Sequence, residues 1–319
     1  MSRWRGCSAR SRCVAEWRLW LSLLKLRVVV LLQVTAIAAI LAHDIADRQL
    51  LRAMFVGNDL ARTWAETLET ALVVLVGGSL ASGGSMAINM WYDRDIDPLM
   101  ARTDKRPLPS GELAPGAVLV YGIVVCVSGV VVLALLANQL AAAFAAFSAL
   151  FYVLVYTMWL KRRTPQNIVI GGLAGALSPL IGWTAAGGDP LALLPWAMVA
   201  VIFLWTPPHF WALTLARPGE YAQAGVPMLP VTAGEAATRR YVTGYAAALL
   251  LTSLATGWQA GLGYPFLAAA VLLGGRFLQL ALKLQHTPSK RVAWTLFGYS
   301  NIFLFLLFGA MVAAVALTA

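Results

Sequence analysis

Nine stretches of predominantly apolar residues follow one another along the chain, at 20–43, 70–92, 115–136, 138–160, 166–187, 191–215, 241–260, 263–284 and 293–318. A hydrocarbon core about 30 Å thick needs roughly 20 residues of helix to cross it, so each stretch predicts a transmembrane helix. The first is too long for the apolar region of a signal peptide and has no small-residue cleavage site behind it, so it counts as a span. Loops reach only about 25 residues, which leaves no room for a soluble domain. The predicted organisation is a basic cytoplasmic tail, 1–17, followed by one polytopic domain, 18–319.

Composition supports the same solvent. Of the 319 residues 60% are hydrophobic and only 12% charged, and the mean hydropathy is +0.74, far from a water-soluble domain. The fold class expected is an all-α integral membrane protein.

Charge orients it. Of the 24 Lys and Arg, 20 lie in or beside the N-terminal tail and in the loops after the second, fourth, sixth and eighth stretches. Basic residues collect on cytoplasmic loops, so the N-terminus is placed in the cytoplasm and, with nine spans, the C-terminus outside. Arg48, Arg52 and Arg62 fall on the other side, and Arg276 lies in or near the eighth stretch. The net charge of +10 is divided among membrane-edge loops, so it implies topology and no nucleic-acid partner. Cys7, Cys13 and Cys126 show no zinc or disulfide spacing.

Against this background "NMWYDRDIDPLMARTDKRPLPSG", residues 89–111, stands out. Asn89, Asp93 and Asp97 recur at i, i+4 and i+8 and drift only about 40° per step on a helix, forming one polar stripe. Pro98 disfavours helix at Asp97, so the stripe ends where the chain leaves the membrane. Neighbouring carboxylates repel unless a cation neutralises them, and hard oxygen donors suit Mg²⁺, which uses one or two carboxylates plus substrate phosphates. Arg102, Lys105 and Arg106 follow as an anion clamp. The bland alternative, a loop whose acids pair with its own bases, does not account for a stripe that starts inside an apolar stretch.

A second focus is "TPPHFWALTLARPGEYAQAGVPMLP", residues 206–230. Pro207 and Pro208 predict a break or kink that frees backbone carbonyls, with His209 facing a cavity beside it. Arg217, Glu220 and Tyr221 close the same span on the side of Asp93 and Asp97, where two acidic sites invite a bridging metal–diphosphate. A third focus, "LKRRTPQNIVIGGLAGALSPLIGW", offers Lys161, Arg162 and Arg163, which determine topology when taken alone, and Gly171, Gly172 and Gly175, which read as close helix packing.

Together these segments resemble, in order, the UbiA-type intramembrane prenyltransferases, in their protohaem IX farnesyltransferase (haem O synthase) branch. The carriers are the 89–111 run, "LKRRTPQNIVIGG", "WTPPHFWALTLARPGEYAQAGVPMLPV" and the C-terminal "FGYSNIFLFLLF". Two positions depart: Leu26 stands where the family usually has proline, and Glu220 where it usually has aspartate.

The resemblance implies nine helices around a central cavity in the cell (inner) membrane, with Mg²⁺ as cofactor and farnesyl diphosphate and haem B as substrates. The implied product is haem O, and haem A synthase or oxidase-assembly proteins are implied as partners. In that reading Asn89, Asp93 and Asp97 hold Mg²⁺ against the diphosphate. Arg102, Lys105, Arg106, Lys161, Arg162, Arg163, Arg217, Glu220 and Tyr221 serve the diphosphate or the haem propionates. His209 is the candidate base for the added water, or a contact to the haem or its iron. A UbiA-type enzyme with an aromatic or quinone-precursor acceptor, and a transporter built on broken helices, are the alternatives.

Overall fold

Helix starts along the chain carry their own caps. Trp64 opens a 29-residue helix behind a capping box in which the Thr63 side chain accepts from Glu66 N and Glu66 accepts from Thr63 N. Pro115 starts the next helix in a first turn where its missing N–H is not needed. Asn138 caps the one after, accepting from Ala141 N at 2.9 Å.

The computed structural model describes residues 17–54, 63–217 and 219–318. Its long helices are α1 (Leu26–Met54), α2 (Trp64–Tyr92), α3 (Pro115–Leu136), α4 (Gln139–Leu150), α5 (Asn167–Ala176), α6 (Ser178–Ala185), α7 (Leu193–Ala216), α8 (Gly234–Gln259), α9 (Gly263–His286) and α10 (Lys290–Thr318). No strand occurs among the described residues. Most of the basic tail, with Cys7 and Cys13, lies outside the described residues, as does Pro218.

Eight spans are long and apolar enough to cross a bilayer, α4 with its continuation to Leu160 and α5 with α6 each counting as one. Outward faces carry large apolar side chains such as Leu72, Val76, Val120, Val124, Val131, Leu272 and Phe305. Such a surface suits lipid and not water, so the protein is a multi-pass membrane protein. The ninth expected span coincides with α8, which packs against α7 and α9. Its sequence carries Arg239, Arg240, Thr243, Thr252, Ser253 and Thr256, and this polarity keeps it below the apolarity of the other eight.

Two further departures from the sequence reading have local causes. The 166–187 stretch splits at Leu177, with Pro179 starting α6. Of the break or kink expected at Pro207 and Pro208, the break does not occur: α7 continues as helix through both. The prolines remove the donors for Phe203 O and Leu204 O, and a tie to a neighbouring helix helps to hold the segment, with Trp205 Nε1 donating to Ser300 O of α10 at 2.7 Å.

Close approach of α2 and α3 rests on glycine. A Cβ added at Gly84 would lie 2.3 Å from Cys126 N, and one at Gly129 would lie 2.3 Å from Ala81 N, both contacts with backbone that cannot yield. Gly84→Ala is expected to destabilise the bundle by about 1–3 kcal/mol, the usual range for overpacking. Thermal unfolding in detergent, with Gly244→Ala as a control where a Cβ meets nothing within 4 Å, checks it. Gly171 also packs as expected, since a Cβ there would meet the Tyr156 ring at 2.3 Å.

Candidate active site

The site forms where α2, the continuation of α4 to Leu160, α7 and the turn before α1 come together. α2 stops at Tyr92, and Asp93–Asp95 and Asp97–Leu99 continue as two 3₁₀ turns, the second with Pro98 in its first turn. The tighter turns modify the predicted α-helical stripe without dispersing it, since Asn89, Asp93 and Asp97 are all buried, at 4%, 1% and 3% exposure. Burial of two carboxylates demands partners. Asp97 receives Arg106 Nη1 on both oxygens, at 2.9 and 2.8 Å. Asp93 Oδ2 receives Lys161 Nζ and, at 2.8 Å, Asn89 Nδ2. Its Oδ1 has no hydrogen-bond partner among the described residues, with Arg162 Nη2 at 3.6 Å its nearest cation contact.

Lys161 reaches Asp93 through an irregular element. After α4 the chain winds on as a π-helix, Phe151–Leu160, closed by Lys161 N to Tyr156 O at 2.9 Å. π-Turns cluster at functional sites because they re-aim side chains. Here Tyr152 and Tyr156 line the cavity, their rings stacked 5.3 Å apart, and Thr157 Oγ1 accepts from Asn89 Nδ2 at 3.2 Å.

Lys25 completes the polar end, and sequence reasoning missed this role. It sits at φ 48 in the turn between a short helical segment at 17–23 and α1, a left-handed conformation that strains a non-glycine residue by roughly 1–3 kcal/mol and recurs at functional sites. Its Nζ donates to Asn89 Oδ1 at 3.1 Å. Burial, and after it the charges of Arg106 and Lys161, push the Lys25 ammonium down to about 7. The one sequence signal near it was the departure at Leu26, its neighbour, where the family usually has proline.

Most of these residues form one end of a cavity of about 620 Å³; Asp93, buried behind Asn89 and Lys161, is not among its lining. Lys25, Asn89, Asp97, Arg102, Arg106 and Lys161 line the polar end, and Val28, Leu32, Ala36, Ile181 and Leu304 are among the apolar wall. From the second focus His209 and Tyr221 line it too, and Arg102 Nη2 donates to the Tyr221 hydroxyl at 3.4 Å. Gly219, at φ +92, allows the turn from α7 into Glu220–Gln223 that brings Tyr221 in.

Other predicted residues lie elsewhere. Arg162 forms a two-pronged pair with Asp95, both contacts 2.7 Å, which holds its guanidinium above the usual arginine value, and it lies outside the lining. Lys105 and Arg163 are exposed and outside the lining. Arg217 pairs with Glu220 at 3.5 Å and covers Trp294, and neither reaches the lining. The side chain of Glu220 is longer than the aspartate expected there, yet its Oε2 is buried without a hydrogen-bond partner among the described residues.

No cluster of three or more His, Cys, Asp or Glu gathers among the described residues, so there is no all-protein metal cage. Two carboxylates and an amide oxygen, with one buried Asp93 oxygen lacking a hydrogen bond, instead fit a divalent cation that takes its other ligands from phosphate and water.

A polar end lined by Lys25, Arg102, Arg106 and Lys161 and joined to an apolar cavity inside a membrane bundle has the chemistry to take an amphiphile by its charged head. The chain belongs to the UbiA prenyltransferase family, whose pattern matches residues 50–317. It is 47% identical over 246 residues to the protoheme IX farnesyltransferase of Parvibaculum lavamentivorans, covering 76% of each chain. The fold matches the structure reported for digeranylgeranylglyceryl phosphate synthase with a TM-score of 0.67 at 18% identity, covering 92% of this chain and 99% of that one. It also matches a UbiA homologue from Archaeoglobus fulgidus bound to GPP and Mg²⁺, with a TM-score of 0.54 at 15% identity, covering 90% of this chain and 99% of that one.

Proposed function

We infer that the protein transfers the farnesyl group of farnesyl diphosphate to a vinyl group of haem B with addition of water, giving haem O and diphosphate. The observation that carries this reading is the 47% identity to a protoheme IX farnesyltransferase, joined to a cavity with cations and carboxylates at one end and apolar walls beyond.

In this reading Asn89, Asp93 and Asp97 would hold Mg²⁺, which would supply charge neutralisation for the diphosphate leaving group. Arg106 and Lys161, now paired with the carboxylates, turn to phosphate oxygens when the head group arrives, and Arg102 and Lys25 add charge from two sides. Once engaged, these groups stabilise the negative charge that develops as the allylic C–O bond breaks. Tyr152, Tyr156 and the apolar wall hold the farnesyl chain and exclude water from the resulting cation. The terminal vinyl carbon of haem then bonds to the farnesyl C1, water adds at the adjacent carbon, and one proton leaves.

We further read α8 as the ninth span, 1–17 as the basic tail and 18–319 as one domain, with the polar end of the cavity in the cytoplasm, the C-terminus outside and the chain in the inner membrane. Haem A synthase or oxidase-assembly proteins are the partners that handle the product in this reading.

Purified protein given haem B, farnesyl diphosphate and Mg²⁺ is expected to yield a haem carrying one added farnesyl and one added hydroxyl group by mass spectrometry, and no product when chelator replaces Mg²⁺. Turnover of an aromatic acceptor with none of haem would assign a different acceptor.

A further inference from the structure

His209 is the best-positioned group in the cavity whose role the diphosphate chemistry leaves open. It is buried, at 9% exposure, and its ring is clamped between two aromatic faces. Trp205 lies 4.2 Å away at 23° and Phe297 4.6 Å away at 29°. Phe210 meets its edge at 5.5 Å. The imidazole therefore cannot swing without repacking α7 against α10.

One polar chain sets its proton. Ser300 Oγ lies 2.6 Å from His209 Nδ1 and 2.6 Å from Phe297 O. A carbonyl only accepts, so the single hydroxyl proton goes to Phe297 O and Oγ accepts from Nδ1–H. Trp205 Nε1 donates to Ser300 O at 2.7 Å, fixing the serine in turn. This leaves the Nε2 lone pair unprotonated, with no hydrogen-bond partner among the described residues, on a side chain that lines the cavity.

Such a lone pair can take a proton or bind a metal, and the surroundings choose. A histidine that takes a proton becomes a cation and needs a carboxylate to orient and stabilise it, as in the serine-protease triad. Among the described residues, the hydrogen-bond and ring partners of His209 are the Ser300 hydroxyl and the Trp205, Phe210 and Phe297 rings, none of them acidic. Coordination adds no proton. It also calls for what is present: a neutral imidazole whose other nitrogen donates a hydrogen bond that fixes tautomer and ring orientation.

We propose that His209 Nε2 is an axial ligand to the iron of the acceptor haem, and that Ser300 is the positioning residue that fixes its tautomer. The proposal rests on haem being the acceptor. Ligation through the iron leaves the porphyrin edge free, so one anchor at the iron and cations at the cytoplasmic mouth can hold a vinyl group towards the allylic carbon.

The test uses the full chain in detergent, titrated with ferric haem B and followed by visible absorption and low-temperature electron paramagnetic resonance. Wild type is expected to give the bands of a histidine-ligated haem. His209→Gly is expected to lose them and to regain them with millimolar imidazole, and Ser300→Ala is expected to weaken haem binding by roughly 10-fold or more while keeping the protein folded. Binding of haem to His209→Gly with the wild-type spectrum, or unchanged haem affinity and spectrum in Ser300→Ala, overturns the proposal. Product formation by wild type in the farnesyl-transfer assay, run in parallel, tests the acceptor separately: product without a histidine signature sinks only the ligand assignment, whereas farnesylation of another acceptor sinks the underlying reading as well.

Discussion

Asp97→Asn is expected to lower kcat/KM for farnesyl transfer by roughly 10²–10³-fold, the range seen when one preorganised electrostatic contact to a developing charge is removed. Asparagine has the same shape, and the backbone feature that holds the loop, Thr103 Oγ1 donating to Asp97 O at 2.7 Å, does not depend on the side chain. The substitution therefore removes charge while leaving the 3₁₀ turn in place. Arg106, which now meets both Asp97 oxygens, would keep one acceptor in the amide oxygen. With one carboxylate fewer, the Mg²⁺ needed for half-maximal rate should rise. Rates measured across a Mg²⁺ series, with unfolding temperature as the folding control, check this. Full activity with an unaltered Mg²⁺ dependence would remove Asp97 from the metal site.

Much of this arrangement was legible because membranes punish polar residues so heavily that any buried charge marks a purpose. Asn89, Asp93 and Asp97 could be picked out from spacing alone, and their burial agrees with it. Helix existence was equally legible, since 20-residue apolar runs have few other fates in lipid. What spacing could not give was the handover from α-helix to 3₁₀ turns at Tyr92, or the π-winding after Leu150 that aims Lys161 at Asp93, because both are settled by packing between helices. Pro207 and Pro208 misled in part for the same reason: of the break or kink they favour locally the break did not occur, and α7 is tied to α10 through Trp205 and Ser300. Lys25 was hidden because its partner lies 64 residues away, a contact that no local pattern encodes. Among the basic residues, sequence could place Arg162, Arg163 and Lys161 on one loop but not choose among them. Asp95 made the choice by engaging Arg162, which left Lys161 for the buried carboxylate.

That division of partners yields the second large effect. Lys161→Met strips the principal cation from Asp93, a carboxylate with only 1% of its surface exposed, and breaking a buried pair by removing one partner is destabilising by about 3–5 kcal/mol. The same change removes a cation assigned to the diphosphate, so activity and stability should fall together and neither alone would show what Lys161 does. The double variant Asp93→Asn with Lys161→Met separates them. Removing both charges takes away the uncompensated carboxylate, and the introduced amide oxygen can still accept from Asn89, so most of the lost stability should return. Transfer should not return, because metal ligand and phosphate partner are then both gone. Unfolding temperature and product formation measured on the wild type, both single variants and the double variant give the cycle. If the double variant recovered turnover along with stability, the pair would be a structural clamp, and diphosphate binding would have to be assigned to Arg102, Arg106 and Lys25 alone. If stability stayed low while the fold remained intact, the loss would trace to the contact of Arg162 with Asp93 at 3.6 Å, which Asp93→Asn also weakens, and not to Lys161.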